Sequence, residues 1–239
     1  AEHQAVYEGV RAAAKEAGRN VAVLVDLQGP KIRLGRFAGD QKHFLNEGDT
    51  FTITTEDVEG TKELVSTTHE GLPGDARVGD PILIDDGKVR VRVTAVEGPR
   101  VVTEVEVPGP VSNNKGLNLP GVAVSVPALS DKDTDDLRWA LRMGADLIAL
   151  SFVRSAKDYD DVAKIMEDEG RTVPVIAKIE KPQAVENLEE VVAAFDGFMV
   201  ARGDLAVEMP LEQVPLVQKR IVELARRNAQ PVIVATQVL

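Results

Sequence analysis

The sequence predicts an α/β protein built from repeated strand–helix units and interrupted by a small all-β domain. Two observations carry that reading. Short Val/Ile/Leu-rich runs recur along the 239 residues, each with a polar residue at its C-terminal end, and amphipathic helical stretches separate most of them. Near-continuous apolar strands mark a parallel sheet covered on both faces. Between about Pro30 and Gly121 the texture changes to alternation with period two, punctuated by glycine and proline, which is the pattern of antiparallel strands.

The elements follow in order. A helical pattern, A-V-Y-E-G-V-R-A-A-A-K-E-A-G, precedes the first apolar run, V-A-V-L-V-D (Val21 to Asp26). Inside the β segment, V-R-V-R-V-T follows a D-D-G-K turn (Asp85 to Lys88), and V-V-T-E-V-E-V returns beside it. Beyond it, Ser130 caps a helix that Gly144 ends. The next runs are D-L-I-A-L-S-F (Asp146 to Phe152) and P-V-I-A-K-I-E (Pro174 to Glu180). Pro182 fits the first turn of the helix Q-A-V-E-N-L-E-E-V-V-A-A-F, since its missing N–H is not needed there. G-F-M-V-A-R-G-D (Gly197 to Asp204), a helix from about Leu211 to Asn228, and P-V-I-V-A-T (Pro231 to Thr236) complete the set.

Units of this length build either a (β/α)8 barrel or a doubly wound sheet. No G-x-G-x-x-G follows the first strand, which favours the barrel. Closure needs eight strands and the sequence shows five, so the expectation is a partial (β/α)8 (TIM) barrel, an excerpt of a longer protein. Residues 1–29 and 122–239 are assigned to the incomplete barrel and 30–121 to the inserted β domain, expected to be barrel-like itself.

Composition narrows the chemistry. The net charge of −11 argues against a nucleic-acid surface, so a phosphate ligand must be held by local basic groups and metal ions. Without cysteine there is no disulfide, thiolate catalysis or cysteine-bound zinc, which suits a cytoplasmic protein. No apolar run approaches membrane-spanning length and no signal peptide is visible. None of the 3 histidines follows a core-strand pattern, so histidine chemistry is not expected.

In a parallel barrel the active site lies at the C-terminal ends of the strands. Those ends offer Asp26, Ser151, Lys178 with Glu180, Asp204 and Thr236. Lys178 and Glu180 are two residues apart in an extended run, so they face the same way. Glu180 and Asp204 come from successive strands, and two carboxylates with open positions suit Mg²⁺ or Mn²⁺. Lys178 beside such an ion suits a developing oxyanion. Gly203 permits close backbone approach, and a short helix after it would offer N–H groups to an anion. Lys31 and Arg33, near the junction with the β domain, are natural phosphate partners. Each feature also has a plainer reading: a solvated ion pair, a strand-to-helix turn, a β-branched strand residue at Thr236, a basic hinge. The plain readings do not account for all of them meeting at one end of one sheet.

The motifs D-L-Q-G-P-K-I-R, L-I-D-D-G, N-K-G-L-N-L-P-G, P-A-L-S-D-K-D, S-F-V-R, I-A-K-I-E, M-V-A-R-G-D-L-A-V-E and V-I-V-A-T-Q run in family order over nearly the whole sequence, which resembles the pyruvate kinases. The resemblance implies a barrel with a mobile β lid and the reaction phosphoenolpyruvate + ADP + H⁺ → pyruvate + ATP, in a cytoplasmic homotetramer. It matches Glu180 and Asp204 to the divalent-metal ligands and Lys178 to the lysine that stabilises the enolate-like transition state. It matches Gly203, Asp204 and Thr236 to substrate contacts, with Thr236 near the proton-delivery path, and Arg33 and Lys115 to nucleotide-phosphate positions. Many members use K⁺, bound partly at the Asp26 position, and carry Glu where this sequence has Lys31 and Thr where it has Leu27 and Leu34. The resemblance is therefore to the K⁺-independent type, with the Lys31 ammonium in the role of the monovalent cation. The family's first two strands, its eighth strand and its C-terminal domain have no counterpart here. Two rival readings remain: a metal-dependent aldolase acting on a pyruvate enolate, and an inactive piece that only binds ligand.

Overall fold

The computed structural model describes residues 2–122, 125–127 and 129–235. Helix α1 (Glu2–Glu16) precedes strand β1 (Leu24–Asp26). The β segment then runs β2 (His43–Leu45), β3 (Thr50–Thr54), β4 (Leu64–Ser66), the short helix α2 (Leu72–Asp75), β5 (Pro81–Ile84), β6 (Val89–Glu97), β7 (Arg100–Val107), β8 (Gly109–Val111) and β9 (Leu117–Asn118). Strand–helix units follow: α3 (Asp131–Met143), β10 (Leu147–Leu150), α4 (Asp158–Asp168), β11 (Val175–Ile179), α5 (Pro182–Glu186), α6 (Leu188–Ala194), β12 (Gly197–Ala201), α7 (Arg202–Glu208), α8 (Val214–Arg227) and β13 (Val232–Ala235).

The parallel sheet has the order β1-β10-β11-β12-β13, so each strand lies beside the next one of its kind without reversal. The β segment forms a sheet of order β4-β3-β7-β6-β5-β9 with a separate β2-β8 pair. Two hydrophobic cores result. One gathers Leu137, Ile148, Val175, Phe198 and Ile221 under the parallel sheet, and the other gathers Phe51, Ile53, Ile82, Val91 and Val101. Chain membership passes from one core to the other between Leu27 and Ile32, and back between Leu119 and Leu129. No helix of the described residues is long and apolar enough to cross a membrane.

Local chemistry explains the element ends. Asp85, Asp86 and Gly87 turn the β5–β6 hairpin with φ of 54°, 57° and 87°, a left-handed conformation that aspartate and glycine tolerate best. The first apolar run contributes only Leu24–Asp26 to the sheet. Just before it, Val23 N–H donates to the Asp146 carboxylate at 2.6 Å, a side-chain bond in place of a ladder bond. The helix expected after Pro182 is broken at Asn187, where φ −92°, ψ 21° leaves the helical region and the side chain donates to Arg154 O at 3.1 Å.

Ser130 and Asp133 form a capping box at the start of α3, and Gly144 ends the helix in the left-handed conformation at φ 90°. Asp133 is fully buried, and its other oxygen accepts from Gly29 N–H at 3.0 Å, so the cap also anchors the loop after β1. Asp133→Ala is expected to remove about 2–3 kcal/mol of stability, the loss of a cap plus an orphaned buried N–H. Urea unfolding of the whole protein measures this, and an unchanged midpoint would show the bond to be dispensable.

The return from the β segment is held by a buried group. His69 Nε2 lies 2.6 Å from Asp75 Oδ2, and the same oxygen accepts from Ser125 N–H at 2.9 Å and Ser125 Oγ at 3.1 Å. Burial works against the charge of Asp75, but the bonds from Ser125 and His69 prevail and hold its pKa below the usual aspartate value.

Candidate functional site

Lys178 is the second-last residue of β11, and Glu180 follows directly after the strand. Their shared face is realised as an ion pair, Lys178 Nζ to Glu180 Oε1 at 3.0 Å. The ammonium also meets Asp26 Oδ1 at 3.2 Å and Ser151 Oγ at 2.8 Å. Its three N–H donors thus have three acceptors, from the ends of β1, β10 and β11. Ser151 is itself fixed, donating its hydroxyl to Leu27 O at 2.7 Å. The Glu180 side chain is only 2% exposed and that of Lys178 14%, whereas Asp26 is 48% exposed.

Electrostatics separates these groups. Burial raises the pKa of Glu180, Lys178 pulls it back down, and the nearby charge of Asp204 raises it again, with a net upward shift. Burial disfavours the Lys178 ammonium, but Glu180 and Asp26 outweigh it, and its pKa is also raised. The lysine therefore stays charged. Asp204 influences Glu180 from the first turn of α7, which starts at Arg202, so Gly203 and Asp204 lie inside the helix rather than before it.

A residue without obvious signal in the sequence completes this cluster. Phe152 has φ 56°, and its N–H donates to Glu180 Oε2 at 2.9 Å. A bulky side chain in that region costs about 1–3 kcal/mol and persists only where the surroundings enforce it. Its ring packs against Gly29 on one side and lies 5.6 Å from the Lys181 ammonium. Both oxygens of Glu180 are thereby aimed.

Lys31, Arg33 and Lys115 gather on a second strip. Arg33 bridges Gly116, its Nη1 donates to Asn114 O at 3.0 Å, and Leu34 N–H donates to Lys115 O at 2.8 Å. Lys115 Nζ is 3.0 Å from Asp85 Oδ1, in the L-I-D-D-G turn. Lys31 forms no ion pair among the described residues; its stem runs beside Gly116, and it lines a cleft with Arg154, Lys181 and Asp204. Asp26 is paired with Lys178 rather than with Lys31. Asp204 and Gly203 also line a second cleft with Asp86 and Arg90 of the β5–β6 hairpin. Thr236 lies outside the described residues.

A divalent cation fits what is present. Among the described residues no group of three or more His, Asp or Glu side chains converges. Two hard carboxylates, Glu180 buried and Asp204 lining the adjoining cleft, with the charge of Asp204 raising the pKa of Glu180, match the few-ligand habit of Mg²⁺ and Mn²⁺.

Comparison with known proteins identifies the family to which the sequence is similar. The family described as pyruvate kinase, barrel domain, matches residues 1–239. The pyruvate kinase of Corynebacterium glutamicum is 60% identical over 238 residues, covering 100% of this chain and 50% of the relative. That of Mycobacterium tuberculosis is 58% identical over 238 residues with the same coverage, and that of Methylorubrum extorquens 50% over 232 residues, covering 97% of this chain and 48% of the relative. The chain spans about half the length of the curated relatives it matches. It belongs to the pyruvate kinase family and carries that family's barrel-domain sequence.

Proposed function

We propose that the whole protein transfers the phosphoryl group of phosphoenolpyruvate to ADP, with Glu180, Asp204 and Lys178 at the reacting centre. The observation that carries this reading is the buried Lys178–Glu180 pair, coupled to Asp204, at the C-terminal edge of the parallel sheet. The unreversed strand order supports a partial (β/α)8 (TIM) barrel. The two cores support residues 1–29 and 122–239 as its incomplete domain and 30–121 as an inserted β lid. Family membership supports a cytoplasmic homotetramer that uses Mg²⁺ or Mn²⁺.

Glu180 and Asp204 would hold the divalent ion, which when bound neutralises charge on the transferring phosphoryl group. Lys178 supplies N–H donors to the departing oxygen as it becomes an enolate. To do so it must release one of its three acceptors. Asp26 is the most exposed of them and makes the longest contact, so it is the one that substrate replaces. Arg33 and Lys115, on the lid edge, would meet the nucleotide phosphates, while Gly203 and Asp204 meet substrate from α7 and Thr236 stands near the proton path. Closure of the lid keeps water from the phosphoryl group. The basic strip of Lys31, Arg33 and Lys115 favours this reading over an aldolase, which needs no nucleotide. A coupled assay of the whole protein for pyruvate formation with and without ADP tests it: turnover that ignores ADP excludes it.

Lys31 carries a prediction about monovalent ions. Its ammonium, which forms no ion pair among the described residues, belongs to a side chain that lines the cleft with Asp204, where it adds a permanent positive charge. The enzyme is expected to work without K⁺, and Lys31→Glu to make it need K⁺, because the change removes a tethered cation and adds a carboxylate. Turnover in tetramethylammonium buffer followed by K⁺ titration checks this; strong K⁺ activation of the unmodified protein would defeat it.

A further inference from the structure

Glu208 is a buried carboxylate that takes no part in the chemistry above. It lies four residues after Asp204 in α7, so the two share one helix face a turn apart. Its Oε1 accepts from Lys181 Nζ at 2.6 Å, with side-chain exposures of 3% and 14%. Lys181 directly follows Glu180, so this ion pair joins the two segments that carry the candidate metal ligands. The same Glu208 oxygen also accepts from Asn118 Nδ2 at 2.9 Å. Asn118 belongs to β9, the edge strand of the β segment's sheet. Lys181 further lies over the ring of Phe152, whose N–H orients Glu180. One oxygen atom thus receives a donor from the β segment and a donor from the residue that follows Glu180.

We propose that the Lys181–Glu208 pair is a clamp that sets the separation of Glu180 and Asp204, and that Asn118 makes it respond to the position of the β segment. Lys181, Glu208 and Asn118 are positioning residues, and metal affinity is the quantity they set. A buried pair resists separation because either partner alone would be left as an uncompensated charge. Movement of the β segment that withdraws Asn118 leaves the pair intact but removes one of the two donors fixing Glu208. The spacing of the carboxylates then loosens, and the site binds metal less tightly when the lid is open. The proposal rests on the reading of Glu180 and Asp204 as metal ligands.

The test is Mn²⁺ binding to the whole protein without substrates, read as the loss of the free-ion electron paramagnetic resonance signal. Glu180→Gln serves as the reference variant. Glu208→Gln and Lys181→Met are each expected to weaken Mn²⁺ about tenfold, the usual scale for residues that orient ligands. The double variant is expected to do no worse than the singles, because the two residues act as one unit. Asn118→Ala is expected to weaken binding about threefold, and Lys181→Arg to retain most of the affinity. Thermal unfolding of each variant reports folding separately, and if Glu208→Gln does not fold, Asn118→Ala and Lys181→Met decide. Clamp variants that bind Mn²⁺ like the unmodified protein, while Glu180→Gln does not, overturn the clamp alone. Unchanged binding by Glu180→Gln overturns the metal-site reading and the clamp with it.

Discussion

Lys178→Met is expected to lower kcat by about 10³-fold or more while Mn²⁺ still binds. The ammonium is the cation that the geometry places between Asp26, Ser151 and Glu180, at the C-terminal ends of the parallel strands. Removing it takes away the charge that offsets the enolate, an interaction made chiefly in the transition state, so the loss falls on kcat more than on KM. Metal binding survives because Glu180 keeps the Phe152 N–H and Asp204 is untouched. The buried Glu180 does lose its partner, so some stability is lost as well. Steady-state kinetics with a parallel Mn²⁺ titration separates these effects. Near-normal turnover would rule out the role of Lys178.

Gly29→Ala is the second large effect, and its origin is steric. Gly29 has φ +74°, and a Cβ there would sit 2.6 Å from Phe152 Cδ2 and 2.9 Å from Ser151 Cβ. Neither neighbour has room to yield. Ser151 is bound to Leu27 O and Lys178, and Phe152 is already held at positive φ. The expected cost is about 2–4 kcal/mol, from the left-handed penalty and overpacking together. Turnover is expected to fall about 10- to 100-fold in the protein that remains folded, because Ser151 and Phe152 orient Lys178 and Glu180. Gly48→Ala, at φ +80° with nothing within 4 Å of a Cβ, is the matched control and is expected to lose only the left-handed penalty, about 1 kcal/mol, with turnover unchanged. Thermal unfolding and turnover of the two variants provide the comparison; equal behaviour would remove the packing argument.

Much of this architecture is legible in the residues because two periodicities do the encoding. The apolar runs became β1, β10, β11, β12 and β13 in one parallel sheet, and the alternating runs became the antiparallel ribbon of β6 and β7. Lys178 and Glu180 were readable as partners because strand period alone puts them on one face. Contacts between distant segments were not readable. His69, Asp75 and Ser125 meet across more than fifty residues of chain, and Asn118 and Glu208 across ninety, with no local pattern to announce either. Phe152 was hidden for another reason: a positive φ is advertised by glycine or asparagine, not by phenylalanine. Lys31 shows the limit of spacing arguments. Five residues from Asp26 is within reach of a flexible stem, but the direction of that stem is set by Gly116 and the cleft, and Lys178 takes the Asp26 carboxylate.

The proposed chemistry requires Glu180 and Asp204 to share one divalent cation beside Lys178. A crystal structure of the whole protein grown with Mn²⁺, located by its anomalous scattering, tests it most directly. One strong peak is expected roughly 2.0–2.2 Å from a carboxylate oxygen of each residue, with the remaining positions open to water or substrate. A peak that touches only one of the two carboxylates, or lies away from both, would contradict it.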